Sequence, residues 1–155
     1  MSIQSESSRY PRDLSRYLTV ALGEKFVKIG NIPIYKSESK TVIARWSKKH
    51  DKNIRAIPYW FGLKVPDITR INEYGITHFV FVCDDEGLIL LPTEIIQGRI
   101  YNNELLESLK NGLLLHYHIQ FDVENGQMMW ILKTGIRQNV KKYYYKFLKT
   151  STIIR

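Results

Sequence analysis

The stretch "LLHYHIQFDVENGQMMWILK", residues 114–133, decides the fold. From residue 115 to residue 124 apolar side chains occupy the odd positions and polar side chains the even ones. Strict alternation over this length is typical of a strand with one buried face. The Asn125-Gly126 pair that follows is the preferred centre of a two-residue type I′ turn, because both residues tolerate positive φ. The stretch therefore predicts a β-hairpin.

The position of this turn also predicts how the two strands pair. A two-residue loop fixes which residues lie opposite each other, and a slip of one residue would move every side chain to the other face. Three pairs of apolar residues then share one face, which are Val123 with Met128, Phe121 with Trp130, and Ile119 with Leu132. Because such pairs stabilise a sheet, the apolar pattern and the turn favour the same register.

Shorter elements precede and surround the hairpin in the prediction. Periodicity and turn residues indicate strands at 25–31, 32–36, 40–46, 54–63, 79–83 and 88–91. Helices are predicted at 11–22, 66–75 and 103–111, the last with Asn103 as its cap. The unbroken apolar run at 79–83 is typical of a strand covered on both faces. We predict an α+β, mainly β fold, in which an N-terminal helix accompanies a curved antiparallel sheet or open pseudobarrel of about seven strands with short helices at its ends.

Length and composition indicate one globular domain. The chain has 155 residues, of which 44% are hydrophobic and 25% charged, as in ordinary globular proteins. We predict a disordered polar tail at 1–10 and a single domain at 11–155. The single cysteine, Cys83, excludes an internal disulfide and favours a reducing compartment. Since no apolar stretch approaches the roughly 18 residues of a membrane span, we expect a cytoplasmic protein without a membrane partner.

The net charge of +8 is unevenly distributed along the chain. Residues 67–124 carry ten acids and three bases, whereas the two flanks together carry 20 bases and five acids. If the flanks meet in the fold, the protein has one basic side and one acidic side. Such a charge distribution steers a protein towards nucleic acid in a preferred orientation.

One catalytic alternative is a restriction-type nuclease. Such an enzyme places two carboxylates and a lysine around a divalent metal, often as an Asp followed by Glu-x-Lys. The chain offers this spacing at Glu38-Ser39-Lys40, with Asp13 as the nearest upstream acid. However, Asp13 suits the first turn of a helix for electrostatic reasons alone, and "KSESK" is typical of a turn. The nuclease therefore stays an alternative.

Two histidines and the cysteine offer little other chemistry. His116 and His118 share one face of the predicted strand, which is a possible spacing for a transition metal. A third ligand is missing from the pattern, and the predicted register places His118 opposite the cation Lys133. Cys83 falls in the most apolar strand, where a thiol is inert. We predict no catalytic residue, no metal site and no cofactor.

Two basic segments carry the binding hypothesis. In residues 43–63 and 137–149 lysines can contact phosphates, while Arg, Asn and Gln side chains can read base edges in the major groove. The predicted DNA-binding residues are Arg45, Trp46, Lys48, Lys49, His50, Lys52, Asn53, Arg55, Arg137, Gln138, Asn139, Lys141 and Lys142. Two such segments, each with base-reading side chains, indicate a duplex held from two sides.

The order of elements from about residue 57 to residue 148 resembles that of the DNA-binding pseudobarrel domains. These domains occur in plant transcription factors and in the recognition parts of prokaryotic restriction endonucleases, including McrBC-like systems. The resemblance is carried by "IPYWFGL", by "HFVFVCDDEGLILLPTEII" and by "HYHIQFDVENGQMMWIL". It implies an open barrel with two arms in the major groove. It also implies fusion or partnering with a nuclease or a nucleotide-driven motor.

The sequence thus favours a double-stranded DNA recognition module of a restriction or defence system. The module would be sequence-specific, with sensitivity to base modification left open. One alternative is a PUA-like reader of modified DNA or RNA bases, whose aromatic pocket would be lined by Trp46, Tyr59, Trp60 and Phe61. The metal-dependent nuclease of the restriction type is the other.

Overall fold

Eleven strands and three α-helices form over the residues that this computed structural model describes, 11–54 and 56–148. The fold is α+β and mainly β, as the sequence predicts. In chain order the elements are α1 (Ser15–Leu22), β1 (Val27–Lys28), β2 (Ile34–Lys36), β3 (Thr41–Ser47), β4 (Tyr59–Lys64), α2 (Val65–Tyr74), β5 (His78–Cys83), β6 (Gly87–Pro92), α3 (Thr93–Tyr101), β7 (Leu106–Lys110), β8 (Leu113–Glu124), β9 (Gln127–Ile131), β10 (Arg137–Asn139), a short 3-10 helix (Lys141–Tyr143) and β11 (Tyr144–Lys146). The predicted tail at 1–10 lies outside the described residues.

The β8–β9 hairpin forms as predicted around its Asn-Gly turn. Asn125 and Gly126 have φ values of 53° and 76°, the left-handed conformation that a type I′ turn requires. Two of the predicted cross-strand pairs are confirmed, Val123 with Met128 and Phe121 with Trp130. The hydrophobic pattern and the turn therefore selected the same register.

The third predicted pair does not belong to the hairpin ladder. The last residues paired between β8 and β9 are Gln120 and Ile131. Ile119 and Leu132 are buried in the same core but are not paired with each other. The chain leaves the ladder after β9 because the backbone N–H of Lys133 donates to the carbonyl of Glu104 instead.

A second Asn-Gly turn joins β7 to β8, where the sequence analysis placed the end of a helix. Asn111 and Gly112 have φ values of 54° and 79°, and Lys110 pairs with Leu113 across the turn. The prediction of a helix at 103–111 is wrong, because the leucine spacing that suggests it also suits a strand beside a turn of this type. The helix of this region lies earlier, in α3.

The eleven strands of the described residues form two sheets, whereas about seven strands were expected in a curved antiparallel sheet or open pseudobarrel. The six-stranded sheet has the order β1-β2-β3-β5-β6-β11, and the five-stranded sheet has the order β10-β9-β8-β4, with β7 also paired to β8. Most neighbours are antiparallel, but β3 and β5 run parallel. The chain passes through β4 and α2 between these two strands, and a parallel pair requires a long crossover of this kind.

The buried side chains form two clusters that share strand β5. Its odd residues, including Phe79 and Phe81, belong to the larger cluster, to which both sheets contribute. Its even residues, Val80 and Val82, pack in a second cluster with Leu18 of α1. Five of its six residues are buried, which confirms that the apolar run at 79–83 is covered on both faces.

The helices α1 and α2 confirm the predictions at their positions. α1 begins at Ser15, four residues later than predicted, and Gly23 ends it with a φ of 74°. α2 covers most of the predicted segment, and Gly75 ends it with a φ of 64°. Both ends use the left-handed conformation that glycine adopts without steric cost.

A close approach at Gly87 gives a test of how β11 docks on β6. A Cβ at this position would lie 2.5 Å from the carbonyl oxygen of Tyr145 and 2.7 Å from the Tyr144 side chain. We expect Gly87→Ala to lower the free energy of unfolding by about 1–3 kcal/mol, because β11 must shift to admit the methyl group. The measurement is urea unfolding followed by circular dichroism.

The matched control is Gly98→Ala in α3, where an added Cβ meets no heavy atom within 4 Å. This change should raise the free energy of unfolding by roughly 0.5–1 kcal/mol, because alanine stabilises a helix interior more than glycine does. If the two variants unfold at the same urea concentration, the tight packing of β11 against β6 is contradicted.

Candidate nucleic-acid interface

The alternation in β8 places its even residues on the outer face of the five-stranded sheet. The odd residues Ile119 and Phe121 are fully buried in the core. The even residues His116, His118 and Gln120 are half-buried and lie on the opposite face, because successive side chains of a strand alternate. This outer face is the surface on which the two basic segments meet.

Strand β10 adds Arg137 and Asn139 to the outer face but places Gln138 on the inner one. In the register, Arg137 lies beside Ile131 and Asn139 beside Met129, and both partners are paired to even residues of β8. Gln138 lies beside the buried Trp130, and its side-chain oxygen accepts a hydrogen bond from Arg99. Of the three consecutive predicted base readers, only the first and third therefore share a surface.

Asp122 joins the two basic segments directly. Its carboxylate lies 2.9 Å from Lys52 Nζ and 2.8 Å from Arg137 Nη2, and it also accepts the backbone N–H of Val123. The Asp122 side chain is only 6% exposed, whereas that of Lys52 is 57% exposed. The same buried carboxylate therefore holds one cation from each basic segment at a single point.

Glu86 makes a second junction between the segments, in the turn from β5 to β6. Lys49 Nζ lies 3.7 Å from the Glu86 carboxylate, and the backbone carbonyl of Glu86 accepts the N–H of Phe147. The Tyr59 hydroxyl donates to the same carboxylate. Burial raises the pKa of Tyr59 well above its ordinary value, and the hydrogen bond to Glu86 raises it further.

Two open clefts lie beside these junctions. The first has a volume of about 490 Å³, and its lining includes Lys49, His50, Lys52 and Asp122. The second, of about 360 Å³, lies at the β8–β9 turn, where Lys141 lines it. Both clefts are open to solvent, and each has lysines in its lining, Lys49 and Lys52 in the first and Lys141 in the second.

The remaining predicted residues of these segments lie near the clefts or on the adjoining surface. Asn53 is exposed in the turn before β4, and its backbone N–H donates to Asp51. Lys142 is exposed and lies over the Tyr143 ring. Lys48 is half-buried directly after β3.

Arg45 and Trp46 lie away from this surface, as Gln138 does. Arg45 Nη2 lies 2.6 Å from the fully buried Asp67. Trp46 packs against the second core cluster, next to α1. Arg55 lies outside the described residues.

The predicted separation into a basic and an acidic side is wrong at this surface. The cations Lys49, Lys52 and Arg137 contact carboxylates of Glu86, Asp122 and Glu124, all from the acidic middle of the chain. Turns and strands of the middle segment lie between the two flanks, so their acids neutralise the nearest bases. The flanks converge, but the acids lie among them.

A cluster of Trp60, His116 and His118 lies further along the outer face. The Trp60 indole N–H donates to His118 Nδ1 at 2.6 Å, and the two imidazole centroids are 4.9 Å apart. The expected neighbour Lys133 is not opposite His118, which pairs with Gly62 and Leu106. Within residues 11–54 and 56–148, no group of three or more His, Cys, Asp or Glu residues is arranged to hold a metal ion.

The residues named for the nuclease and for the PUA-like reader do not form the site that each function needs. Lys40 Nζ pairs with Glu24 at 2.8 Å, while Glu38 is exposed. Asp13 accepts hydrogen bonds from Ser15, and these bonds lower its pKa. A pocket of the PUA type is not formed by the residues proposed for it, because Tyr59 and Phe61 are buried in the core.

Sequence reasoning missed the contribution of the acids, and it named Trp60 only for the aromatic pocket of a PUA-like reader. The alternation in β8 does place Asp122 on the polar face, but only the pairing with distant residues shows that cations meet there. Cys83 was interpreted correctly as a core residue: it is fully buried, and burial raises the pKa of its thiol well above the ordinary value.

No protein-family model, no curated protein and no solved structure matches this chain. Among the helices of the described residues, none has the length and apolar character needed to cross a membrane.

The junction at Asp122 yields a prediction about stability. We expect Asp122→Asn to lower the free energy of unfolding by about 1–2 kcal/mol, since the amide keeps the shape but loses the charged hydrogen bonds to Lys52 and Arg137. Glu124→Gln is the control, because Glu124 contacts the same arginine from a more exposed position and should cost less than about 0.5 kcal/mol. Thermal and urea unfolding measure both, and an equal loss in the two variants would contradict a special role for Asp122.

Proposed function

We propose that this protein binds double-stranded DNA and reads a short sequence of it. The observation that carries the proposal is the junction at Asp122, which holds Lys52 and Arg137 on one surface although they lie far apart in the chain. Residues 48–53 and 137–142 thus border one surface from two sides, as two basic walls. Two walls of this kind suit a duplex held from both sides.

Affinity would come from lysines that are not neutralised internally. Lys141 and Lys142 are exposed, and neither forms an ion pair with an acid of the described residues. Lys49 and Lys52 are also mostly exposed despite their carboxylate partners. Such lysines can replace counterions along the phosphate backbone, which gives an affinity that falls with salt.

Base reading is assigned to Asn53, Arg137 and Asn139. Arg137 is held in place by Asp122 and Glu124, so less side-chain entropy is lost when it contacts a base. Asn139 donates to Gln127 at 2.7 Å and accepts the backbone N–H of Lys141. Arginine suits guanine and asparagine suits adenine in the major groove.

The carboxylates at the surface favour a reader over a general DNA coat. Asp122, Glu86 and Glu124 repel phosphates that approach without the right geometry, which weakens non-specific binding. Correct base contacts would then supply a larger share of the binding free energy. Three further parts of the proposal rest on the resemblance in the sequence. They are membership in a restriction or defence system, association with a nuclease or motor subunit, and a location at the nucleoid.

The deciding experiment is a fluorescence anisotropy titration of unmodified duplex DNA, base-modified duplex DNA and RNA of the same sequence, each at two salt concentrations. The proposal requires saturable binding of duplex DNA that weakens with salt. Preference for RNA or for a modified base would favour the PUA-like reader. Cleavage of the duplex in magnesium or manganese, abolished by Glu38→Ala, would favour the nuclease.

The phosphate contacts can be tested with two charge-matched double variants. We expect Lys141→Gln/Lys142→Gln to weaken binding to all duplex sequences and to reduce the slope of log K against log salt by about 1.8, roughly 0.9 for each lost contact. The control is Lys25→Gln/Lys36→Gln, in which both lysines are exposed and belong to the opposite edge region of the six-stranded sheet. Equal slopes for the two variants would contradict the proposed surface.

Base reading can be tested at Asn53, whose side chain is exposed. We expect Asn53→Ala to relax discrimination at one base pair of a selected site by about 1–3 kcal/mol, while the salt slope stays unchanged. Asn72→Ala, an exposed position on α2, serves as the control. Site selection from a random duplex library, followed by competition binding, measures both, and unchanged discrimination would remove Asn53 from the readers.

A further inference from the structure

A third cleft, of about 320 Å³, lies away from the proposed DNA surface. It is bounded by the segment before α1, by β1 and the turn after it, and by β2 and β3. Its lining includes Arg12, Lys28, Asn31, Tyr35, Arg45 and Trp46. None of its lining residues belongs to the clefts at Asp122 and at the β8–β9 turn.

The cleft carries three cations and no carboxylate among its lining residues. Arg12 is exposed and Lys28 is half-buried. The two residues are in contact, since Lys28 Nζ donates to the backbone carbonyl of Arg12 at 2.8 Å. Arg45 supplies the third charge from β3. The cleft at Asp122 includes two aspartates in its wall, whereas here Asp67, which pairs with Arg45, lies outside the lining residues. The lining of the third cleft is therefore the more cationic of the two.

Arg45 is only partly satisfied by its ion pair. Its Nη2 contacts both oxygens of Asp67 at 2.6 Å, but its Nε is buried and has no hydrogen-bond partner in the described part of the chain. A buried donor without a partner is costly and often marks a place for a ligand or water. Tyr35 also lines the cleft, and its hydroxyl accepts the backbone N–H of Leu14 at 2.9 Å.

Planar and polar groups complete the cleft. Trp46 is half-buried, packs partly against the second core cluster and also lines the cleft beside the cations. Asn31 is exposed, and its side-chain amide supplies both a donor and an acceptor. A ligand that used all of these groups would combine a strongly anionic part with a flat ring.

We propose that this cleft binds a small phosphate-bearing molecule of the nucleotide class. Arg12, Lys28 and Arg45 would contact the phosphate, since charge-assisted hydrogen bonds to arginine and lysine are the strong ones. The base would lie against Trp46, and Asn31 would contact its edge. The volume falls at the lower end of the range for small-molecule sites, which suits a mononucleotide.

The test is isothermal titration calorimetry of the full chain with AMP, GMP, CMP and UMP, with adenosine, and with inorganic phosphate. We expect at least one nucleotide to bind saturably and at least tenfold more tightly than adenosine or phosphate. Arg12→Gln and Lys28→Gln should each weaken that binding about tenfold, whereas Lys25→Gln, a nearby exposed lysine outside the cleft lining, should not change it. Trp46→Phe should keep part of the affinity, because phenylalanine retains a smaller ring.

Three results would overturn the proposal. They are the absence of saturable nucleotide binding, equal affinity for nucleotide and inorganic phosphate, and equal effects of Lys28→Gln and Lys25→Gln. Competition by duplex DNA would also count against it, because it would make the cleft part of the DNA surface. The Lys141→Gln/Lys142→Gln variant should bind nucleotide normally, so failure of DNA binding and failure of nucleotide binding can be told apart.

Discussion

Two Asn-Gly turns, one at each end of β8, fix the register on which the five-stranded sheet depends. The turn at 111–112 sets β7 against the first half of the strand, and the turn at 125–126 sets β9 against the second half. With both ends fixed, Phe121 faces the core and Asp122 faces outward. A shift by one residue would exchange them, placing a carboxylate in the core and an aromatic ring in solvent. The outer face and its charges follow from that constraint.

The charges on this face are organised by carboxylates. The Asp122 carboxylate contacts a cation of each basic segment. Glu86 contacts Lys49 through its carboxylate and Phe147 through its backbone carbonyl. Ion pairs of this kind orient flexible lysine and arginine side chains before any ligand arrives. They also lower the net charge of the surface, and the proposed DNA contact therefore depends on geometry more than on bulk charge.

Local signals predicted the elements whose cause is local. The alternation and turn of the β8–β9 hairpin, the glycine ends of α1 and α2, and the apolar run of β5 are all visible in short windows. The helix predicted at 103–111 does not form, because Asn111 and Gly112 make a turn and the leucine spacing also suits a strand beside it. The parallel pairing of β3 with β5 and the contacts of Asp122 and Asp67 join residues far apart in the chain, and no short window contains them. For the same reason, the sequence offered the cations of the site but not their partners.

Strand β11 is synthesised after the other ten strands of the described residues, yet it covers one edge of the six-stranded sheet. It pairs with β6, whose residues Leu88–Leu91 are buried and apolar. On the ribosome, β6 therefore emerges long before the strand that protects its edge. An uncovered apolar edge can recruit strands from other chains. Expression yield should consequently depend on translation speed and chaperone supply more than the folded protein's own stability would suggest.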